Sequence, residues 1–345
     1  MSWIQDNIID RQRTFIIAEA GINHNGHMDL ALELITRAKD VGADCVKFQA
    51  FSTEACESES ASMPEYFSGR IGKMTKFEWS RSLEFTENDF RALKNYCEEI
   101  GLVFLATACD TVSLDLLKRL GVSAIKIGSS DTTNISLLKL AGQSSATVLL
   151  STGMSSIGDI DKAVNCIREN GGKDIILLQC TSQYPAPYEE LNLRVIELFK
   201  ERYHLPVGFS DHSSGIHVPV AAVTLGAQVI EKHFTLSRDL PGVDHAASLT
   251  PGEFAAMVKN IRETEAALGE KRKNITRSES KNKNSMRKSI VAANNIKKGA
   301  ATVLENFAIK RPGTGLAPEM LNTLIGKTAR VDIRKDELIS MDMFL

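Results

Sequence analysis

Two lysines lie inside short apolar runs of the sequence, where charged residues are rare. Lys47 belongs to the run DCVKFQA and Lys126 to the run AIKIGS. A buried ammonium group is unfavourable by several kcal/mol unless a negative charge accompanies it. Each lysine therefore predicts an anionic neighbour, either a carboxylate of the chain (Glu19 or Glu231) in a structural ion pair or a bound anion.

Hydroxyl side chains follow several of the neighbouring apolar runs. They belong to Thr107, Ser129, Ser151 and Ser210. Two ammonium groups together with several hydroxyl donors suit a phosphate and a carboxylate that are bound side by side. A structural ion pair explains either lysine alone, whereas the added hydroxyls favour an anion-binding site.

Two histidines, His212 and His233, follow the last two apolar runs. Neutral imidazoles on adjacent strands can share one divalent metal ion, with water and substrate oxygens as the remaining ligands. A buried structural histidine and a general base are the alternatives, and the spacing alone leaves all three open. Further polar groups, at His24, Tyr184 and Asp244, lie in loops, where each by itself is more typical of turn chemistry.

These residues belong to a repeating pattern in which short β-branched runs alternate with longer segments of helical period. The predicted strands are Thr14–Ala20, Asp44–Ala50, Leu102–Thr107, Ala124–Ser129, Thr147–Thr152, Asp174–Cys180, Pro206–Ser210 and Gln228–Phe234. Near-continuous apolar runs are typical of strands that are covered on both faces, as in parallel sheets. Eight strand–helix units predict a (β/α)8 TIM barrel, a fold of ~250 residues. The alternative, a doubly wound open sheet, often carries a G-x-G-x-x-G turn, which is absent from the sequence.

The sequence changes character after Gly269. Residues 1–269 are predicted to form the barrel, in which active sites lie at the carboxyl ends of the strands. Residues 270–287 are polar and carry charges of both signs, which predicts a solvated linker rather than an anion or nucleic-acid site. In residues 288–345 apolar residues again alternate with polar ones, between turns rich in Gly and Pro. This pattern predicts a small β-rich domain.

The composition excludes several classes of protein. With 41 Lys and Arg, 43 Asp and Glu, and 43% hydrophobic residues, the chain has the make-up of a soluble globular protein rather than a disordered or generally basic one. No run approaches the ~18 apolar residues of a membrane span, and the polar N-terminus lacks signal-peptide features. We therefore expect a cytoplasmic protein with no nucleic-acid or membrane partner. The six cysteines form no C-x-x-C pair, which predicts reduced, buried thiols.

Ordered motifs along nearly the whole chain resemble the sialic acid synthases and their relatives that make legionaminic and pseudaminic acids. The motifs are AEAGINHNG from Ala18, GADCVKFQ from Gly42, KIGSSD from Lys126, STGM from Ser151, CTSQYP from Cys180, SDH from Ser210, EKHFT from Glu231 and DHAAS from Asp244. The C-terminal part, with RPGTGL from Arg311, is similar to the antifreeze-like (SAF) domain of that family. The resemblance implies a reaction in which phosphoenolpyruvate condenses with an N-acetylmannosamine-type sugar to give a nine-carbon 2-keto acid and phosphate.

The resemblance also implies a role for each matching residue. The catalytic residues of the family match Glu19, His212 and His233. Its phosphoenolpyruvate site matches Lys47, Thr107, Lys126, Ser129, Ser151 and Ser210. Its sugar site matches Gln49, Asp131, Ser182, Tyr184, Asp244 and Arg311. The family binds a divalent metal, usually Mn²⁺ with Mg²⁺ or Co²⁺ as alternatives, through the two histidines, and its members are domain-swapped homodimers in which Arg311 would reach the partner's barrel.

The sequence departs from many relatives at Ser130-Asp131, Gln179 and Ser182, where it is more similar to animal-type synthases that use a 6-phosphorylated sugar. The sugar therefore stays open among N-acetylmannosamine, its 6-phosphate and 2,4-diacetamido-6-deoxy sugars, and residues 60–81 have no clear counterpart in the family. Two alternative functions stay open as well. One is a barrel enzyme that joins phosphoenolpyruvate to a different aldose, and the other is a non-catalytic carbohydrate-binding relative, since a fold does not fix a function.

Overall fold

A closed barrel of eight parallel strands forms the first of two compact units, Met1–Gly269 and Glu270–Leu345. The computed structural model describes residues 3–61 and 74–345, so part of segment 60–81 lies outside the described residues. The strands are β1 Phe15–Gly21, β2 Cys45–Ala50, β3 Val103–Ala108, β4 Ala124–Ile127, β5 Thr147–Ser151, β6 Ile175–Cys180, β7 Val207–Asp211 and β8 Val229–His233. The predicted barrel is confirmed, and the strand ends differ from the prediction by at most two residues.

Helices cover the outside of the barrel. Those of the described residues in the first unit are α1 Met28–Asp40, α2 Thr53–Cys56, α3 Lys76–Ser82, α4 Glu87–Glu99, α5 Thr111–Arg119, α6 Ile135–Gln143, α7 Ile157–Glu169, α8 Val195–Tyr203, α9 His217–Thr224 and α10 Pro251–Leu268. Capping boxes at Thr86 and Ser156 begin α4 and α7, because each side chain accepts a backbone N–H of the first turn. Of the described helices, none is both long and apolar enough to cross a membrane.

Helix α8 is shorter than the predicted helix Glu190–Tyr203, and the difference has a backbone cause. Asn192 has a left-handed φ of +46°, a conformation that a right-handed helix does not admit. The chain therefore forms a separate 3₁₀ turn at Tyr188–Glu190 before α8 begins at Val195.

The interior of the barrel is apolar at its amino end. Phe15, Ile17, Leu105 and Leu149 belong to one buried cluster, to which an N-terminal π-helical segment, Gln5–Ile9, adds Ile8. Trp3 also belongs to it and packs edge-on against Phe15, with ring centroids 5.1 Å apart. A second, larger cluster fills the space between the strands and the surrounding helices. Both faces of the strands are thus buried, which explains why their sequences lack polar alternation.

The strand register sets the candidate residues at one level of the barrel. Glu19 pairs with Lys47 and with His233 across the two sides of β1. Thr107 pairs with Lys126, and Ser210 pairs with Glu231. Because alternate residues of a strand face the same side, these side chains form a polar layer inside the barrel above the apolar one.

The second unit contains α11 (Arg277–Met286), which lies within the predicted linker, and an antiparallel pair of strands, β9 (Ser289–Ala292) and β10 (Phe307–Lys310). Thr276 begins α11 with a capping box to Glu279. A separate apolar core supports this unit; its members are Ile290, Ala292, Ile296, Phe307, Leu324, Ala329, Ile333, Ile339 and Phe344.

All six cysteines are free thiols, and four of them are buried. Cys56 is exposed and Cys109 is half-buried, so the expectation of uniformly buried thiols is wrong for these two residues. Cys109 directly follows β3, and Cys56 ends the short helix α2 in the segment after β2.

An ion pair on the outer face of β7 and β8 stabilises the strand ends that carry the histidines. Lys232 Nζ lies 2.6 Å from Asp211 Oδ2, and both side chains are at most 1% exposed. Lys232 also donates a hydrogen bond to the carbonyl of Ser213, whose own N–H donates to Asp211 Oδ1 at 2.8 Å. Burial lowers the pKa of Lys232, an effect that the Asp211 carboxylate opposes.

We predict that Lys232→Met lowers the free energy of unfolding by about 3–5 kcal/mol, because it leaves the Asp211 carboxylate buried without its counter-charge. Denaturant unfolding followed by circular dichroism measures this loss. The double variant Lys232→Met/Asp211→Asn removes both charges and should lose less than the single variants added together.

Lys259→Met is the matched control, since Lys259 and Glu263 form an exposed pair at 3.7 Å on α10. It should change the free energy of unfolding by less than about 1 kcal/mol. Equal losses in Lys232→Met and Lys259→Met would contradict a stabilising role for the buried pair.

Candidate active site

A cavity of ≈ 700 Å³ opens at the carboxyl end of the barrel. All predicted site residues that belong to the barrel line it. They are Glu19, Lys47, Gln49, Thr107, Lys126, Ser129, Asp131, Ser151, Ser182, Tyr184, Ser210, His212, His233 and Asp244. Arg311 belongs to the second unit, where its Nε donates to the carbonyl of Met286 at 3.1 Å.

Four buried charges form the floor of this cavity. Lys47 Nζ lies 3.0 Å from Glu19 Oε2 and 3.5 Å from Glu231 Oε2. Lys126 Nζ lies 3.5 Å from the other oxygen of Glu231. Each of these side chains is at most 5% exposed, so the two ammonium groups and two carboxylates compensate one another out of contact with water. The ion-pair interpretation of the lysines is therefore correct for their charged contacts in the free protein. A bound anion would have to share the two ammonium groups with the carboxylates.

The pKa values of the two carboxylates move in opposite directions. Burial raises the pKa of Glu19 and outweighs the opposing effect of Lys47. Burial also acts on Glu231, but the ammonium groups of Lys126 and Lys47 and the hydroxyl of Ser210 lower its pKa to about 2. Glu231 is thus a fixed negative charge, whereas Glu19 is the carboxyl group better able to take up and release a proton.

The two lysines differ as well. Burial lowers the pKa of Lys126, whereas at Lys47 the combined effect of Glu19 and Glu231 outweighs burial and raises the pKa. Lys47 also donates to Thr107 Oγ1 at 2.9 Å. Lys47 is therefore the more firmly charged of the two groups, and Lys126 has the weaker set of counter-charges.

The serine hydroxyls have different partners. Ser210 Oγ donates to Glu231 Oε1 at 2.8 Å, and Ser129 Oγ accepts from the N–H of Gly153 at 3.0 Å. A Cβ atom at Gly153 would lie 2.9 Å from Ser129 Oγ, so this close approach requires glycine. Ser151 Oγ is buried and has no hydrogen-bond partner among the described residues. An unsatisfied buried hydroxyl is unfavourable, so Ser151 would gain from a hydrogen bond to any polar group bound in the cavity.

The rings of the two histidines lie edge-on next to each other at the ends of the adjacent strands β7 and β8, with centroids 5.6 Å apart. His212 Nδ1 donates to the carbonyl of Thr181 at 2.7 Å, which leaves the lone pair on Nε2. Burial lowers the pKa of His212 to about 4, and burial together with His212 lowers the pKa of His233 well below its usual range. Both rings are therefore neutral, the form that binds a metal ion. The ring of Tyr184 packs against that of His212 at a tilt of 32°, with ring centroids 4.2 Å apart.

A divalent metal fits this pair, although the protein supplies few ligands. His233 Nδ1 is buried without a hydrogen bond, and Asp244 Oδ2 lies 3.7 Å from it. In residues 3–61 and 74–345, no group of three or more His, Cys, Asp and Glu side chains is arranged to hold a metal. A metal bound by the two imidazoles would therefore take further ligands from water or substrate.

Two predicted sugar ligands have local partners. Asp131 accepts from Ser130 Oγ at 2.9 Å and from Asn134 Nδ2 at 3.0 Å. Gln49 Nε2 lies 3.4 Å from Glu19 Oε1 at the mouth of the barrel. The amide of Gln49 therefore links the carboxyl group of Glu19 to the polar rim of the cavity.

Glu231 belongs to the site but was considered from the sequence only as an ion-pair partner of the lysines. The signal that identifies it is its position two residues before His233 in the same strand, which puts both side chains on the same face. Glu57 and Lys76 also line the cavity. They come from a part of the chain in which no motif drew attention to them.

A closed (β/α)8 barrel with a deep charged cavity at the carboxyl ends of its strands has the architecture of a barrel enzyme. The chain belongs to the NeuB family, whose model matches residues 34–273, and the SAF domain model matches residues 287–345. The resemblance to the sialic acid synthases and the prediction of a SAF domain after the barrel are both confirmed. The protein is accordingly an enzyme of this synthase family.

Named relatives match over nearly the full chain. The chain is 41% identical to N,N'-diacetyllegionaminic acid synthase of Campylobacter jejuni, over 95% of this chain and 99% of the relative. It is 37% identical to human N-acetylneuraminate-9-phosphate synthase, over 95% and 92%. The crystal structure of N-acetylneuraminic acid synthetase from Leptospira borgpetersenii in complex with citrate matches with a TM-score of 0.68 and 37% identity, over 78% of this chain and 90% of that one.

The loop histidines His24 and His245 have structural partners. His24 is 1% exposed, stacks on Phe85 with ring centroids 4.0 Å apart and accepts the N–H of Gly26 through Nδ1 at 3.1 Å. His245 bonds with Thr235 Oγ1 at 2.7 Å and with Asn25 Oδ1 at 3.3 Å. Burial lowers the pKa of each to about 4, so both rings are neutral parts of the loops that border the cavity.

The lowered pKa of His24 predicts a pH-dependent stability. Because the folded-state pKa of about 4 lies below the ordinary value of 6.5, the unfolded state binds more protons between these values, and the free energy of unfolding falls as the pH drops from 6.5 to 4. His24→Asn should reduce this slope by up to one proton, ~1.4 kcal/mol per pH unit. Denaturant titrations at a series of pH values measure it.

His204→Asn is the control at an exposed position, where Asn also tolerates the left-handed φ of +52°. It should leave the slope unchanged. Identical slopes for the wild type and His24→Asn would remove His24 as a source of the acid sensitivity.

Proposed function

We propose that the enzyme condenses phosphoenolpyruvate with the open-chain aldehyde of an N-acetylated amino sugar, giving a nine-carbon 2-keto acid and phosphate. C3 of phosphoenolpyruvate bonds to the aldehyde carbon, water adds to C2, and the C2–O bond to phosphate breaks. The observation that carries the proposal is the pair of buried ammonium groups, with an unpartnered serine hydroxyl, beside two neutral imidazoles in one cavity. The relatives named as legionaminic acid and N-acetylneuraminate-9-phosphate synthases support the same class of product.

Lys47 and Lys126 would neutralise the phosphate and carboxylate of phosphoenolpyruvate. Their carboxylate partners compensate their charge before the substrate binds, so no unpaired ammonium is buried in the free enzyme. The nearby hydroxyls of Thr107, Ser129 and Ser151 would donate hydrogen bonds to the same anion. The hydroxyl of Ser210 would do so by turning away from Glu231, to which it donates in the free protein. Fixing phosphoenolpyruvate in this way orients C3 toward the second substrate.

Glu19 is the group that would steer or deprotonate the water that attacks C2. Its raised pKa and its contact with Lys47 suit a carboxyl group that exchanges a proton during the reaction. A role in holding a proton at the sugar is the rival assignment. Glu231, with its low pKa, would remain ionised and stabilise the positive charge that develops at C2.

The two imidazoles of His212 and His233 would hold the divalent metal, which we expect to be Mn²⁺, with Mg²⁺ or Co²⁺ as alternatives. A metal bound there supplies Lewis acidity toward the aldehyde oxygen, where negative charge develops. The hydrogen bond from His212 to Thr181 fixes the tautomer and the orientation of the ring. On the sugar side, Gln49, Asp131, Ser182, Tyr184 and Asp244 would bind hydroxyl and acetamido groups.

We propose further that the enzyme is a homodimer in which Arg311 of one chain binds the sugar in the barrel of the other. The family resemblance motivates this assignment. Arg311 is exposed, and the pair Arg311-Pro312 has a cis peptide bond. The guanidinium group would reach the acyl group of the sugar.

We predict that purified protein with Mn²⁺ and phosphoenolpyruvate releases phosphate when one sugar of a panel is added. The panel contains N-acetylmannosamine, its 6-phosphate and a 2,4-diacetamido-6-deoxy hexose. Chelation of the metal should abolish phosphate release, and added Mn²⁺ should restore it. A malachite green assay measures phosphate, and mass spectrometry identifies the keto acid. No product from the whole panel, where a known relative is active, would contradict the proposal.

Mixing two inactive variants tests the dimer. Arg311→Ala and Lys126→Met each impair a different contribution to the same site, so a mixed dimer in which Arg311 acts across the interface contains one intact site. After unfolding and joint refolding, activity should recover to about a quarter of the wild-type value, because about half of the dimers are mixed.

The control mixes Lys126→Met with His212→Ala, which damage the same barrel and should give no recovery. Recovery in the control, or none in the first mixture from dimers that form normally, would argue against a shared site. Ultracentrifugation of each mixture establishes that dimers are present.

A further inference from the structure

The position of the buried Ser151 hydroxyl is set by its backbone. The hydroxyl has no hydrogen-bond partner among the described residues, so no hydrogen bond of its own holds it in place. Ser151 is the last residue of β5, and it lies one residue beyond the final pair of β4 and β5, which is Ile127 with Leu150. The pairing with β4 therefore stops before it reaches Ser151, and this side of the strand end needs another partner.

Thr132 supplies a partner at this strand end. Its hydroxyl donates to the carbonyl of Ser151 at 2.8 Å and also lies 3.2 Å from the carbonyl of Ser129. Thr132 is 1% exposed and follows the 3₁₀ turn Ser129–Asp131, which comes after β4. One buried hydroxyl thus ties the segment after β4 to the end of β5, although Thr132 itself does not line the cavity.

The same two segments meet a second time at Gly153. The N–H of Gly153 donates to Ser129 Oγ at 3.0 Å, and Cys180 Sγ lies 3.0 Å from the same oxygen. Gly153 is two residues after Ser151, so a shift of the end of β5 would displace the N–H that orients the Ser129 hydroxyl. The hydrogen bond from Thr132 to Ser151 therefore bears on the hydroxyls of both serines.

We propose that Thr132 is a positioning residue for phosphoenolpyruvate. Its hydroxyl holds Ser129 and Ser151 at the separation at which both of their hydroxyls donate to one anion. Donors that are fixed before a ligand arrives cost no ordering free energy on binding, so a loss of their alignment weakens binding. Without the Thr132 hydroxyl, the Ser151 carbonyl would lose this donor and the end of β5 would be free to shift toward another. The inference rests on the proposed function, which assigns both serines to phosphoenolpyruvate.

The test is steady-state kinetics of the full-length, metal-loaded enzyme with phosphoenolpyruvate and the sugar of the panel that gives product. Thr132→Val replaces the hydroxyl with a methyl group of similar size. It should raise KM for phosphoenolpyruvate by about tenfold, the effect of one weakened hydrogen bond to the anion. Thr132→Ser keeps the hydroxyl and should bring this KM back to within about threefold of the wild-type value.

The KM for the sugar is the internal comparison. Asp131, the predicted sugar ligand next to Thr132 in the sequence, accepts hydrogen bonds from Ser130 and Asn134 rather than from the Thr132 hydroxyl. Thr132→Val should therefore change KM for the sugar by less than about threefold. A general loss of packing would impair the binding of both substrates, whereas a positioning role affects phosphoenolpyruvate.

Thr302→Val is the matched control, because Thr302 is also 1% exposed and its hydroxyl also donates to two backbone carbonyls, those of Leu324 and Lys327 in the second unit. It should leave KM for phosphoenolpyruvate unchanged. If circular dichroism shows that Thr132→Val does not fold, Thr132→Ala takes its place with the same expected result, and Thr302→Ala becomes its control.

Three results would overturn the inference while the condensation reaction stands. They are the same KM for phosphoenolpyruvate in the Thr132→Val and Thr302→Val variants, a rise of KM as large for the sugar as for phosphoenolpyruvate, and a Thr132→Ser variant as impaired as Thr132→Val. If the wild type makes no product from any sugar of the panel, the proposed function fails and the inference falls with it.

Discussion

The compensation of four charges inside the barrel is the constraint on which the rest of the site depends. Glu19, Lys47, Lys126 and Glu231 lie within 3.5 Å of at least one partner of opposite charge and are almost completely withdrawn from water. Removing any one of them would leave an uncompensated charge in a region of low dielectric constant. The group is stable only because a closed sheet brings its members to one level and a packed apolar layer beneath them excludes water. The chemistry proposed for the cavity draws on the same charges, so the folding requirement and the catalytic requirement fall on the same residues.

The interior of the barrel changes from apolar to polar along the strands. Residues near the amino end, such as Phe15 and Leu105, form an apolar plug with the N-terminal segment. One or two inward positions later, the side chains become charged or hydroxylic, and at the strand ends they become the imidazoles of His212 and His233. This change from apolar to polar side chains gives the cavity a packed floor and a more accessible rim. It also keeps the histidines neutral, because burial lowers the pKa of both.

Much of the fold was predictable because local pattern and global architecture agree. Strands buried on both faces require continuous apolar runs, so a charged residue in such a run needs a partner. Lys47 and Lys126 have theirs in the cavity, whereas Lys232 pairs with Asp211 outside the barrel. Sequence patterns were less informative where backbone conformation decides. The late start of α8 follows from the left-handed φ of Asn192, and α11 is a polar helix with a capping box but no apolar stripe to reveal it. The individual roles of the sugar ligands came from the family resemblance, since no spacing rule relates Asp244 to Gln49 across the chain. Glu57 and Lys76 carry no motif, so only their position in the cavity wall identified them.

Strands β7 and β8 carry charge on both of their faces. Ser210 and Glu231 meet inside the barrel, while Asp211 and Lys232 meet outside it. If β8 slipped by one residue during folding, both pairs would be lost together: Lys232 would enter the cavity and Glu231 would face the helices. The two pairs therefore disfavour a misaligned register far more than apolar packing alone could. Neighbouring aliphatic side chains substitute for one another with little loss of stability, whereas these polar pairs do not. The pairing of β7 with β8 thus specifies its own register on both faces of the sheet.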